Sequence, residues 1–141
     1  MAVMVFNDAK FTFNDVVLSD HVKSLKINYE GPTVELTAMG GSAAIHLGTG
    51  ITNWTVDVEF FQDYGTSEVY VTLFGLMGGD SGAADTIQIQ ADATTAVSAT
   101  NPRFHGDAIL TSMSVVDGAL GEPMMCVCTF QGSDTLTAAS S

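Results

Sequence analysis

Apolar residues recur at every second position in several short stretches of this chain, and at helical spacing in one. Trp54, Val56, Val58 and Phe60 alternate with Thr55, Asp57 and Glu59, the pattern of a strand with one buried and one polar face. Within a few residues the period changes. Val69, Leu73, Leu76 and Met77 stand at i, i+4, i+7 and i+8, the stripe of an amphipathic helix. The spacing predicts a strand feeding a helix of about three turns, packed on the sheet through those four side chains. Thr66 or Ser67 is placed to cap its first turn, Glu68 to favour its positive end, and Gly78-Gly79 to stop it. A helix of that length does not stand alone in water, so it must pack on the sheet.

The remaining segments read as strands separated by turn signals. AVMVF at residues 2–6 opens as a short strand, and the Asn-Asp pairs of FND at 6–8 and 13–15 suit turns. Leu25, Ile27 and Tyr29 alternate with Lys26, Asn28 and Glu30. Gly31-Pro32 reads as a turn returning into Val34, Leu36 and Ala38, so the two segments are expected to pair as a hairpin with those side chains inward. From Gly40 to Gly50 the sequence GGSAAIHLGTG is either the far end of a long hairpin or a mobile loop. Its apolar centre calls for cover from its own domain or a neighbour. Ile87 and Ile89 alternate with Gln88 and Gln90, ATNPRFHG at 99–106 reads as a turn-rich connection, and residues 107–118 and 124–132 form an antiparallel pair. The tail TLTAASS is polar and expected to fray. The fold class is mainly β: an antiparallel β-sandwich or barrel with one flanking α-helix. Residues 1–141 make a single domain, with a long loop at about 40–50 and a short polar C-terminal tail.

Charge narrows the function. Charged residues make up 14% of the chain, against about 25% in ordinary soluble domains. A chain so poor in charge is expected to cover part of its surface with protein, and self-association follows. The formal net charge is −12, and the four cations, Lys10, Lys23, Lys26 and Arg103, form no basic track, which excludes a tight grip on nucleic acid. An acidic wall facing nucleic acid would repel it. No run approaches the roughly 20 apolar residues of a membrane helix, and MAVMVFNDAK lacks the features of a signal peptide. Cys126 and Cys128 stand at i and i+2 in a strand, poorly aimed for a disulfide. They read as structural thiols of a protein made in the cytoplasm.

Chemistry-bearing motifs are missing from the sequence. His21, His46 and His105 stand apart with no zinc-site spacing, and there is no nucleophile elbow or phosphate-binding loop. Asp80 and Asp85 read as a solvated turn rather than a calcium loop. No catalytic residue, metal or cofactor is expected. Thr55, Asp57 and Glu59 mark an outer sheet face, solvent-facing or shared.

The order of segments resembles the tail tube (major tail) proteins of long-tailed bacteriophages. The stretches that carry it are LSDHVKSLKINYEGPTVELTAMG, GITNWTVDVEFFQDYGTSEVYVTLFGLMG, TNPRFHGDAILTSMSV and VCTFQGS. The resemblance implies hexameric rings stacked into a hollow tube that conducts DNA, in a virion whose proteins are made in the host cytoplasm. It implies tape-measure, tail terminator and baseplate partners and no membrane. Thr55, Asp57 and Glu59 become candidate lumen residues. The loop Gly40, Gly41, Ala43, Ala44, Ile45, His46, Leu47 and Gly48 becomes the candidate ring-stacking element. The alternatives are a non-catalytic β-sandwich binding module, for carbohydrate or adhesion, and the inner tube of a contractile tail or secretion system.

Overall fold

The computed structural model describes residues 8–66, 68–79 and 82–140. The strand expected at Ala2–Phe6, the candidate cap Ser67, and Asp80 lie outside them. The period-two segments become strands. β1 (Lys10–Phe13) turns through Asn14-Asp15 into β2 (Val16–Val17). The two turn residues have φ of 51° and 64°, a conformation that Asn and Asp tolerate in two-residue hairpins. β3 (Val22–Glu30), β6 (Asn53–Phe61), β7 (Asp85–Gln90), β8 (Arg103–Met113) and β9 (Met125–Ala139) complete one antiparallel sheet in the order β2-β1-β7-β8-β9-β6-β3. β4 (Thr33–Glu35) and β5 (His46–Gly48) pair only with each other.

This single sheet supplies both walls of the core, because it curls. Phe11 of β1 meets Phe60 of β6 with ring centroids 5.3 Å apart, and Phe13 meets Phe130 of β9 at 4.8 Å. Every inward residue of β6 (Trp54, Val56, Val58, Phe60) is buried, as the alternation predicts. Ile87 and Ile89 on β7, Leu110 on β8 and Cys126, Cys128 and Phe130 on β9 join them. The two thiols are free, with Sγ atoms 3.5 Å apart. The contact with Cys126, together with burial, pushes the Cys128 thiol up, so it stays protonated in the core.

Trp54 fixes one end of this core. Its indole N–H donates to the Asp134 carbonyl at 3.0 Å, where β9 bulges between its pairings with His105 and Asp107 and Asp134 takes φ of 89°. Gly106 and Gly132, on the two neighbouring strands, lie against its ring. A Cβ on Gly132 would come within 2.2 Å of the indole, and one on Gly106 within 2.8 Å.

Six expectations are corrected. β3 pairs with β6, register Leu25↔Val58 and Ile27↔Val56, and not with the segment after Gly31-Pro32. Alternation reports which face is buried, not which strand lies alongside. Val34, Leu36 and Ala38 are therefore exposed rather than inward. The helix, α1, spans only Val69–Phe74. Gly75 ends it, Leu76 N–H bonds the Leu73 carbonyl in a tighter turn, and Gly78 N–H then docks on the Leu110 carbonyl at 2.8 Å. Glu68 occupies the N-cap without a side-chain hydrogen bond, so Thr66 caps nothing. Residues 103–106 belong to β8, and the polar tail does not fray: β9 runs to Ala139, which pairs with Arg103. The last residues, Thr137–Ala139, are held by their ladder to Arg103–His105 of β8, so the end needs no apolar side chains.

Of the helix stripe, Val69 and Leu73 are fully buried, Leu76 packs partly against the core, and Met77 is exposed. Gly132→Ala is expected to destabilise by more than about 3 kcal/mol, since a ring in the core has nowhere to move. A thermal midpoint within a degree or two of wild type would show that the Trp54 seat is looser than its geometry.

Candidate functional site

Three surfaces of the fold lie outside the core and carry side chains that can act. The first is the outer face of β3, β6 and β9. Thr55, Asp57 and Glu59 all point away from the core, as alternation requires, and all three are half-buried by their neighbours. Asp57 accepts from Thr129 at 3.1 Å and from Asn28 at 3.3 Å, and Glu59 accepts from Ser24 at 3.1 Å. Lys26 stands opposite Asp57 in the β3–β6 register. The face is thus a lattice of hydroxyls, amides and carboxylates whose hydrogen bonds are largely spent on one another. It offers a passing polyanion one cation, Lys26, against three carboxylates, Asp57, Glu59 and Glu30.

The second surface is an arm. Between β3 and β6 the chain leaves the sheet, and every residue from 31 to 53 is exposed. Of the two readings of the 40–50 segment, the long hairpin holds: β4 and β5 pair in the register Val34↔Leu47. Leu36 N–H bonds the Ile45 carbonyl at 2.7 Å, the Thr37 hydroxyl accepts from Ile45 N–H at 3.0 Å, and Gly41 N–H closes the tip on Ala38. Gly40, with φ of 89°, makes the turn that a side chain would strain. The candidate stacking residues Gly40, Gly41, Ala43, Ala44, Ile45, His46, Leu47 and Gly48 all lie on this arm. Met39, Ile45, Leu47 and Ile51 are 104%, 60%, 58% and 69% exposed. The hairpin thus presents an exposed apolar surface, held in shape by its own backbone bonds.

The third surface is the corner where β6 enters α1, which sequence reasoning missed. His21, expected to be isolated, sits there among carboxylates from two elements. Its Nδ1 faces Asp20 at 2.8 Å, and its Nε2 faces Asp63 at 3.0 Å and Glu68 at 3.4 Å. Asp63 in turn organises the helix entry, accepting from Gly65 N–H through its side chain at 2.8 Å and from Tyr70 N–H through its carbonyl at 3.0 Å. Burial alone would lower the His21 pKa; the hydrogen bonds to Asp63 and Asp20 and the charges of Asp20 and Glu68 outweigh it and raise the pKa above its ordinary value. The Gly65 N–H, and then His21, hold the Asp63 carboxyl below its usual range. Asp20, His21 and Glu68 bring donor atoms within 4.8 Å of one another. With carboxylates on both ring nitrogens, the geometry is that of a protonated histidine clamp. No local signal marks it: Asp63 is 42 residues from His21, and the β3–β6 pairing alone brings them together.

No known family pattern and no curated protein matches this chain. Solved structures do. The tail of an empty gene transfer agent particle, refined with C6 helical symmetry, matches with a TM-score of 0.68 at 11% identity, over 94% of this chain and 95% of that one. The SPP1 tail tube matches at 0.72 and 11%, over 99% and 80%. The sheath–tube complex of an extracellular contractile injection system, PVC, in its extended state matches at 0.69 and 10%, over 99% and 93%. The chain has the tail-tube fold.

That fold is carried here by a chain whose residues share little with its structural relatives, so the tail-tube scaffold survives on pattern: buried alternation, a curled sheet, one short helix. The His21 clamp gives the scaffold a pH signature. A histidine whose folded pKa is raised contributes stability that is fully present below its unfolded value, about 6.5. That stability is lost as pH rises through the folded value. Asp63 contributes above its ordinary 3.8 and loses its contribution as pH falls through the depressed value. The thermal midpoint is therefore expected to fall as pH rises above about 6.5, and His21→Ala to flatten that slope. Equal slopes for the two proteins would dismiss the clamp.

Proposed function

We propose that this chain is the structural subunit of a hollow tail tube, assembling as hexameric rings that stack into a conduit for DNA. The observation that carries the reading is the match of nearly the whole chain, helix and sheet together, to tail and tube structures, one of them refined with C6 symmetry. The physical properties of the chain support it. β3 is a nine-residue edge strand with no partner on one side, and such an edge needs cover, which a neighbouring subunit in a ring provides. The outer face of β3, β6 and β9, with Thr55, Asp57 and Glu59, lines the lumen. Its carboxylates outnumber its one cation, Lys26, and its hydroxyls are bonded internally, so DNA finds little to adhere to, where each added Lys or Arg would hold a phosphate. The arm at residues 31–52 reaches a subunit of the next ring.

In this reading the role is structural and non-catalytic. The partners are further copies of the chain, a tape-measure protein within the tube, and terminator and baseplate proteins at its ends. The protein resides in the virion tail after synthesis in the host cytoplasm. A second reading, the inner tube of a contractile machine, is favoured by the match to the PVC sheath–tube complex.

Negative-stain microscopy of the purified protein, with its mass measured on the same sample, is expected to show rings of six copies and tubes of uniform bore. A monomer at every concentration, even with tail initiator proteins added, would reject the reading. Asp57→Lys with Glu59→Lys is expected to leave tube formation intact and slow or block DNA ejection from assembled particles. Ejection at the wild-type rate would move the lumen to another face.

A further inference from the structure

The end of β6 opposite the arm carries an apolar surface that the described residues leave uncovered. Tyr64, Tyr70 and Phe74 form a ladder of rings with centroids 5.1 Å apart at each step. Tyr64 is 46% and Phe74 52% exposed. Beside the ladder, α1 and the β1–β2 turn enclose a groove of about 340 Å³ lined by Asn14, Val16, Val71, Thr72, Gly75 and Leu76. Aromatic rings stacked on the outside of a six-residue helix do nothing for the core, which Val69 and Leu73 already serve from the other side.

We propose, resting on the tube reading above, that this groove and ladder receive the tip of the arm from a second copy of the chain in the adjacent ring. Three observations converge on that occupant. The arm joins β6 at Asn53, whereas α1, which starts at Val69, eight residues after β6 ends at Phe61, is tied back to that end by the Tyr70 N–H donating to the Asp63 carbonyl. Nine strand residues put the two ends about 26 Å apart. Two unlike surfaces at opposite ends of one subunit make a head-to-tail contact that repeats without limit, which is what a stack requires. Charge selects the same pair. Copies carrying −12 each repel, yet no charged residue occurs from Leu36 to Thr52 on the arm or from Val69 to Gly79 on the helix side. The two meet as neutral, apolar faces. The other apolar groove, about 530 Å³ between Ile27, Tyr29, Phe104, Leu136 and Ala138, lies at the arm's own end. An arm seated there joins like ends and does not propagate a stack.

The test places a photo-crosslinking phenylalanine analogue at Leu47 in assembled tubes and identifies the joined peptides by mass spectrometry. Cross-links to the segment 69–79 of another copy are expected; cross-links to the Ile27–Leu136 groove overturn the proposal. Independently, Val71→Asp and Phe74→Asp are each expected to give rings of wild-type mass that no longer stack, and tubes of normal length from both variants overturn it. Wild-type protein that never stacks removes the tube reading and this docking together. Stacked tubes with the cross-link elsewhere remove the docking alone.

Discussion

The fold depends on one sheet closing over itself, and the closure is held by aromatic side chains. Phe11 and Phe13 come from β1, near one edge of the sheet, and Phe60 and Phe130 from β6 and β9 toward the other. Their edge-on and tilted contacts are worth about 0.5–1.5 kcal/mol each beyond the area they bury. Their larger effect is geometric. A seven-stranded sheet that remained open would expose its apolar face, and these rings define the curvature at which the two halves meet. Trp54 does the same at the far end, through a seat that exists because two neighbouring strands carry glycine. Everything else is placed relative to this closure: the outer face of β6, the arm, and the helix corner.

The distribution of polarity along β6 shows how one strand serves both stability and function. Its four inward residues vanish from solvent, while Thr55, Asp57 and Glu59 stay on the other face and spend their hydrogen bonds on Asn28, Ser24 and Thr129. A polar surface satisfied within itself is weakly adhesive, because an approaching ligand must break bonds that already exist. Its amount of charge matters less than its lack of available donors. The overall acidity of −12 keeps isolated copies apart. In the proposed tube, association falls to the segments that carry no charge.

The two ends of β6 are treated differently. At the Asn53 end the chain spends its residues on a hairpin whose every residue is exposed. At the Phe61 end it builds a corner clamped by His21 and then turns an aromatic face outward. The clamp ties the start of β3 to the helix entry, so the position of the ladder is linked to the protonation of one imidazole. A shape that presents unlike surfaces at its two ends is the physical basis for a one-dimensional assembly.

Much of this was legible in the sequence. Period-two alternation determined β6 and β7 and which residues of β6 are buried, because a strand's faces are set by backbone geometry before any partner is chosen. On β7 Ile87 and Ile89 are buried as expected, but Gln90, expected on the polar face, is buried too. The scarcity of charge pointed to association, and the 40–50 segment stood out by its uncovered apolar residues. Partnership was not legible. The alternating segment after Gly31-Pro32 had the pattern of a return strand, and the tertiary structure sent it outward instead and paired β3 with β6. The helix stripe ran three residues past Phe74, where the helix ends, and beyond Gly75 the chain docks on the sheet through Gly78 N–H and the Leu110 carbonyl. The His21 clamp, the Trp54 seat and the aromatic ladder each join residues distant in sequence or facing across a turn. The sequence by itself determined which side of each element avoids water. Which elements meet was decided by the closure of the sheet, since long-range pairing is selected by the packing of the whole core and leaves no periodic trace in the chain.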